Sequence, residues 1–253
     1  MTDGLRLRAA GVLLMALAAL VVLAGVARAR LPLEPLYSLK AAAAFAVIAA
    51  LVVVCIDTGT HPFAQFGSAN QVTTGRAVFV ALVVAAIGEP ATAAVAAGAA
   101  AAGVAVTVMD GVDGWVARHS RMASRFGARF DMEIDALLIL ALAILTWRHG
   151  KAGAWVLLSG LIRYLFVAAG SLLPQMRRPL PASRRRQTIC VVQVVALIVA
   201  LEPFVGPAAS QLIAGAALAA LIYSFAIDTM WLLSDRPTEV ASSVASGFSR
   251  TSA

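Results

Sequence analysis

Five of the thirteen acidic residues of the chain fall within 26 positions: Asp110, Asp113, Asp131, Glu133 and Asp135. Four of them are spaced for helices. At about 100° per residue, Asp110, Asp113, Gly114 and Ala117 share one arc of about 100°, while Gly127, Asp131 and Asp135 recur on successive turns of a second helix. If the two faces pack together, with Gly and Ala permitting contact, four carboxylates converge. A pair about 4 Å apart repels by about 4 kcal/mol at an effective dielectric near ~20, and holding an acid at membrane depth adds roughly 2.5 to 3.5 kcal/mol. Such a cluster needs protons or cations. Oxygen donors without His or Cys favour Mg²⁺, Mn²⁺ or Ca²⁺ over zinc. Four acids suit two ions, and paired divalent ions are a recurring solution to displacement at phosphorus. Each Asp taken singly also reads as a solvated charge at a helix end; the common spacing argues for a site.

The elements that carry these acids are membrane helices. Of 253 residues, 61% are hydrophobic and 13% charged, with a mean hydropathy of +0.88, against about 45–50% apolar and about 25% charged in soluble domains. Eight apolar runs are expected at about 9–26, 39–56, 77–88, 91–109, 132–147, 153–173, 188–205 and 212–233; a span takes roughly 17 to 25 residues, so the third and fifth are short and rely on flanking residues. The predicted fold class is therefore an all-α integral membrane protein. The net charge of +7 does not point to nucleic acid, because the basic residues sit at the ends of apolar runs and not on a soluble basic patch. With the amino terminus in the cytoplasm, inside segments hold most of the arginines and outside segments only Arg28, Arg30, Lys40, Arg148 and Lys151. The positive-inside rule then places 110–135 in the cytoplasm, at the cell (inner) membrane.

Two apolar runs with no evident chemistry precede a polar boundary over 56–75, which divides the chain into an amino-terminal helix pair (1–60), a chemical domain (61–235) and a polar cytoplasmic tail (236–253). The first run also resembles a secretory signal with Ala27-Arg28-Ala29 as a cleavage site, but it is longer than the usual ~7–15-residue signal core, which favours an uncleaved helix. Ahead of the third run, Asn70 or Thr73 can cap a helix. A helix start there also suits a phosphate, and Arg76 would add a bidentate donor. The run 91–108 is built from Ala, Gly and Val, as a close-packing transmembrane helix is. Cys55 and Cys190 read as inert core thiols, and His61, His119 and His149 are scattered at helix ends.

The pattern Asp110-x2-Asp113-Gly114-x2-Ala117-Arg118-x8-Gly127-x3-Asp131-x3-Asp135 resembles the signature of the CDP-alcohol phosphotransferase (CDP-alcohol phosphatidyltransferase) family at all eight fixed positions. The likeness covers about Asn70 to Leu233 and implies a six-helix bundle, here preceded by two further helices. It implies that Asp110, Asp113, Asp131 and Asp135 are ligands to two Mg²⁺ or Mn²⁺ ions and that Asp135 is also the general base. It assigns Gly114, Ala117, Arg118, Ser124 and Gly127 to the CDP-linked donor, together with Asn70, Thr73 and Arg76 of an N-x-x-T-x-x-R element. Gly114 would let a nucleotide lie on the backbone, and Arg118 could pair with a phosphate. The implied reaction moves a phosphatidyl group from CDP-diacylglycerol to a small alcohol with release of CMP; members are usually homodimers.

Arg163, an ionisable residue inside an apolar run, and the loop arginines Arg177, Arg178, Arg184, Arg185 and Arg186 could bind a phosphate on the acceptor. Attraction of the loop to anionic headgroups, about 1 kcal/mol per residue, is the plainer reading. Around the last two acids, Phe130-Asp131-Met132-Glu133-Ile134-Asp135-Ala136 lacks the Pro and Lys of the branch that uses glycerol phosphate, so the acceptor stays open. Two rival readings are transfer of a CDP-linked headgroup to diacylglycerol, and a transporter whose acids form a cation site.

Overall fold

Apolar runs interrupted by Gly, Pro and charged turns leave helices as the arrangement that satisfies every amide inside a bilayer. The computed structural model describes residues 2–120, 124–173, 176, 178, 180 and 183–234, and the side chains of all of these except 2, 3 and 112–120. Among the described residues it is entirely helical: α1 (Thr2–Arg30), α2 (Tyr37–Cys55), α3 (Ser68–Ala86), α4 (Ala93–Ser120), α5 (Arg125–Arg148), a 3-10 turn (Ala154–Leu157) leading into α6 (Leu158–Leu172), α7 (Arg184–Leu201) and α8 (Pro207–Ser234). Six are long and apolar enough to cross a membrane; α5 and α7 are the other two. Acids occupy the first half of α5 and three arginines open α7, so each pairs an apolar half with a charged end. The tail at 236–253 lies outside the described residues.

The most enclosed helix is α3, where Asn70, Thr73, Thr74 and Arg76 are buried along with its apolar residues. Helices α1, α2, α4 and α5 all pack against it; α7 packs against α4, α5 and α8, and α6 lies against α5. The amino-terminal pair is thus docked on the bundle. Lys40 of α2 pairs with buried Glu89 beyond α3 at 2.8 Å, and the Tyr37 hydroxyl donates to the Leu82 carbonyl at 3.0 Å.

Helix α3 begins earlier than the sequence suggests. Its cap is Gly67, whose φ of 86° is one that L side chains rarely adopt. Neither Asn70 nor Thr73 caps it: Asn70 Nδ2 donates back to the Phe66 carbonyl and Thr73 Oγ1 to the Ala69 carbonyl, because both already lie within the helix. The cysteines also differ from expectation: Cys55 is exposed and Cys190 half-buried, both free.

Backbone contact sets the α5–α6 crossing. A Cβ on Gly160 would stand 2.5 Å from the Leu140 Cα, which main chain cannot yield without moving a helix. Gly160→Val is expected to destabilise the protein by about 1–3 kcal/mol and to displace α6. Thermal unfolding in detergent checks this; an unchanged melting temperature would show that the crossing tolerates a side chain.

Candidate functional site

Three of the predicted acids meet. One carboxylate oxygen each from Asp110 on α4 and Asp131 and Asp135 on α5 lie within 4.8 Å of one another. Asp113, Gly114, Ala117 and Arg118 belong to the stretch whose side chains are not described, and Arg177 lies outside the described residues. The helices that carry the acids meet through a third. Both α4 and α5 pack along α3, which inserts Arg76 among the carboxylates: Nη1 contacts Asp110 at 2.9 Å and also Asp131, and Nη2 contacts Asp135. Arg76 is 1% exposed, and a buried guanidinium is tolerated only when paired. The sequence reading turns Arg76 toward a donor phosphate; in the structure its charge is engaged by the acids.

A tight joint holds α3 and α5 in this register. A Cβ on Gly127 would lie 2.6 Å from Asn70 Oδ1, so Gly127 is the contact point the spacing suggested, but against α3 and not α4. At the start of α5, Ser124 Oγ accepts from the Gly127 amide at 3.0 Å, capping the helix in the usual way. Ser124 in turn meets His61 Nδ1 at 2.9 Å. His61 lies in the turn after α2, where Asp57 Oδ1 accepts the Gly59 and Thr60 amides; these bonds, the Thr60 amide first, hold the Asp57 carboxyl below its usual range.

The acids line a cavity of about 720 Å³ that also takes in Asn70, Thr73, Ser124 and Gly127 and extends past Arg163 and Arg186 to apolar Leu221 and Phe225. Arg163 Nη2 donates to Glu133 Oε1 at 2.5 Å. Asp228 on α8 accepts from Arg185 at 2.5 Å and Arg186 at 3.2 Å, while Arg185 also donates to the Ser224 carbonyl. Of the arginines set aside for the acceptor, Arg163 and Arg186 line the cavity. Arg178, Arg184 and Arg185 are not among its described lining residues. Sequence reasoning left Glu133 and His61 without a role and took Asp228 only as a helix-packing partner; the two acids show themselves by pairing with arginines far along the chain.

The model of the CDP-alcohol phosphatidyltransferase family matches residues 66–227. The chain belongs to this family. It is accordingly a membrane transferase that uses a CDP-linked donor and an alcohol acceptor, in a family that is metal-dependent in general. No curated protein and no solved structure matches the chain significantly. The residues of this CDP-alcohol phosphatidyltransferase suit a divalent ion. Its three grouped carboxylates present only oxygen, the donor that hard cations take. Set against the single positive charge of Arg76, they leave a formal charge of −2 for such an ion to balance.

Proposed function

We propose that the protein transfers the phosphatidyl group of CDP-diacylglycerol to a small alcohol, phosphorylated or not, and releases CMP. The observation that best supports this is the convergence of Asp110, Asp131 and Asp135 in a cavity that also reaches Arg163 and Arg186. Asp110, Asp113, Asp131 and Asp135 would hold two Mg²⁺ or Mn²⁺ ions, which when bound supply charge neutralisation at the pyrophosphate oxygens. Asp135 takes the proton of the acceptor hydroxyl as its oxygen attacks the phosphorus that bears the diacylglycerol group. The bond from that phosphorus to the bridging oxygen breaks, and the electron pair leaves with CMP. Asn70 and Thr73, buried on α3 beside the acids, contact the donor with Gly114, Ala117, Arg118, Ser124 and Gly127, and Gly127 leaves room for the close approach of α3. Arg76 keeps the carboxylates together in the absence of substrate and meets the donor phosphates when they arrive.

The acceptor end is assigned to Arg163 and Arg186, with Arg177, Arg178, Arg184 and Arg185 of the same region as further contacts. Each cavity-lining arginine faces an acid, Glu133 or Asp228, so an acceptor phosphate would share or replace that acid. Arg163→Ala is expected to raise the acceptor KM by about 10- to 100-fold, the loss of a charged hydrogen bond of about 1.5–3 kcal/mol, while leaving the donor KM within a few-fold. Unchanged acceptor kinetics would return Arg163 to a structural role with Glu133.

In this reading the acids face the cytoplasm from the cell membrane, the protein acts as a homodimer, and the helices before about residue 60 are an addition to the catalytic bundle. Substrates whose roles are exchanged, a CDP-linked headgroup and diacylglycerol, would use the same acids. The test is CMP release by purified protein in nanodiscs with each donor in turn, across a set of alcohols, with Mg²⁺ or Mn²⁺ and again with chelator. Release that requires CDP-diacylglycerol and a divalent ion supports the proposal. Release only with the headgroup donor selects the exchanged reaction, and flux of a solute into vesicles without CMP would indicate a transporter.

A further inference from the structure

We infer that His61 is a positioning residue for the acid cluster: acting through Ser124, it fixes the first turn of α5 and so the placement of Asp131 and Asp135. The inference rests on the reading of those acids as the reactive site, and it concerns a residue that precedes the segment matched by the family, 66–227. His61 is 0% exposed. Its Nε2 lies 2.8 Å from the Gln65 carbonyl and its Nδ1 2.9 Å from Ser124 Oγ. A carbonyl only accepts, so Nε2 carries the proton of the neutral ring and Nδ1 accepts from the Ser124 hydroxyl. Ser124 Oγ then accepts the Gly127 amide at 3.0 Å. Every bond in the chain runs one way, from Gly127 through Ser124 and His61 to Gln65, leaving one orientation for each group.

The same turn supplies a second anchor. The Thr60 carbonyl accepts the Phe126 amide at 3.2 Å, so two of the amides that a helix start leaves without partners are satisfied directly or indirectly from residues 60 and 61. The His61 ring also meets Phe126 edge-on, with centroids 6.2 Å apart. Asp131 and Asp135 follow Gly127 by one and two turns, so a tilt of this first turn passes directly into the cluster. Arg8 of α1 donates to the Ala64 carbonyl in this loop at 3.0 Å, which gives the amino-terminal helices a share in the same brace.

The experiment compares the full chain in nanodiscs with His61→Ala, His61→Asn, Ser124→Ala and the His61→Ala/Ser124→Ala double variant. Mn²⁺ binding is read by EPR, and hydrogen–deuterium exchange is followed in peptides covering 124–135. Groups that orient metal ligands typically change metal affinity 10- to 100-fold. His61→Ala and Ser124→Ala should each weaken Mn²⁺ by about 10-fold or more and speed exchange over 125–131 by a similar factor. The double variant should be no worse than the poorer single, and His61→Asn, whose carboxamide oxygen can accept from Ser124, should recover most of both. A lowered melting temperature with Mn²⁺ affinity and local exchange unchanged would overturn the inference, as would additive effects in the double variant. If His61→Ala does not fold, His61→Asn and Ser124→Ala decide by the same readings. A parent protein that binds no Mn²⁺ would defeat the metal reading alone; the exchange measurements would still decide the role of His61.

Discussion

Asp135→Asn is expected to release CMP about 10²- to 10⁴-fold more slowly than the parent protein, the range that a positioned general base contributes. Two features are consistent with that role. Asp135 is held by Arg76 in the same group of oxygens as Asp110 and Asp131, and it lines the cavity in which the acceptor hydroxyl must arrive. Asparagine retains the shape and one oxygen ligand but cannot take a proton at neutral pH. Steady-state CMP release should therefore fall in kcat with the donor KM little changed, and Mn²⁺ binding by EPR should survive in weakened form. Turnover within a few-fold of the parent would remove Asp135 from the role of base and leave it as a ligand only.

Arg76→Ala should have the second-largest effect, and on stability as well as turnover. Arg76 is enclosed and touches all three described carboxylates. Removing one partner from a buried ion pair typically costs about 3–5 kcal/mol; the three acids here are only partly buried, so water screens part of the charge left behind and a loss of about 1–3 kcal/mol is expected. Three mutually repelling acids would remain between α4 and α5. The variant should unfold below the parent in chelator, and added Mg²⁺ or Mn²⁺ should raise its melting temperature more than that of the parent, since the ion then supplies the compensation that Arg76 no longer gives. Arg76→Lys should be intermediate: it keeps the charge, but an ammonium lacks the planar fork that reaches carboxylates on two helices. Equal metal-induced shifts in parent and Arg76→Ala would separate Arg76 from the charge balance of the site.

Much of this arrangement was legible beforehand. The number and order of the helices followed from the apolar runs, whereas α3 and α5 start and α4 ends well outside theirs, because polar residues at those ends are helical too. The turns of helix that carry Asp131 and Asp135 followed from a four-residue step. Periodicity names the face of a helix but not the neighbour that face meets, so Gly127 was paired with the Gly- and Ala-bearing face of α4 when its close contact is Asn70 of α3. The arginines near the cavity could be read as contacts for an acceptor phosphate or for anionic headgroups, but their partners Glu133 and Asp228 could not be named, because those lie tens of residues away and carry no local signal. His61 has no motif at all; its value comes from a turn that happens to end beside the cap of α5.

By itself the sequence determined a helical membrane protein, the acids that meet, and the family whose chemistry they serve, because residue type and helical spacing are local properties. Only the tertiary structure decided that α3 packs against both acidic helices, that Arg76 neutralises part of their charge, and that a loop before the matched segment braces the Ser124 cap of α5. The physical reason is that a buried charge or an orphan amide must find a partner wherever the packing of distant helices puts one.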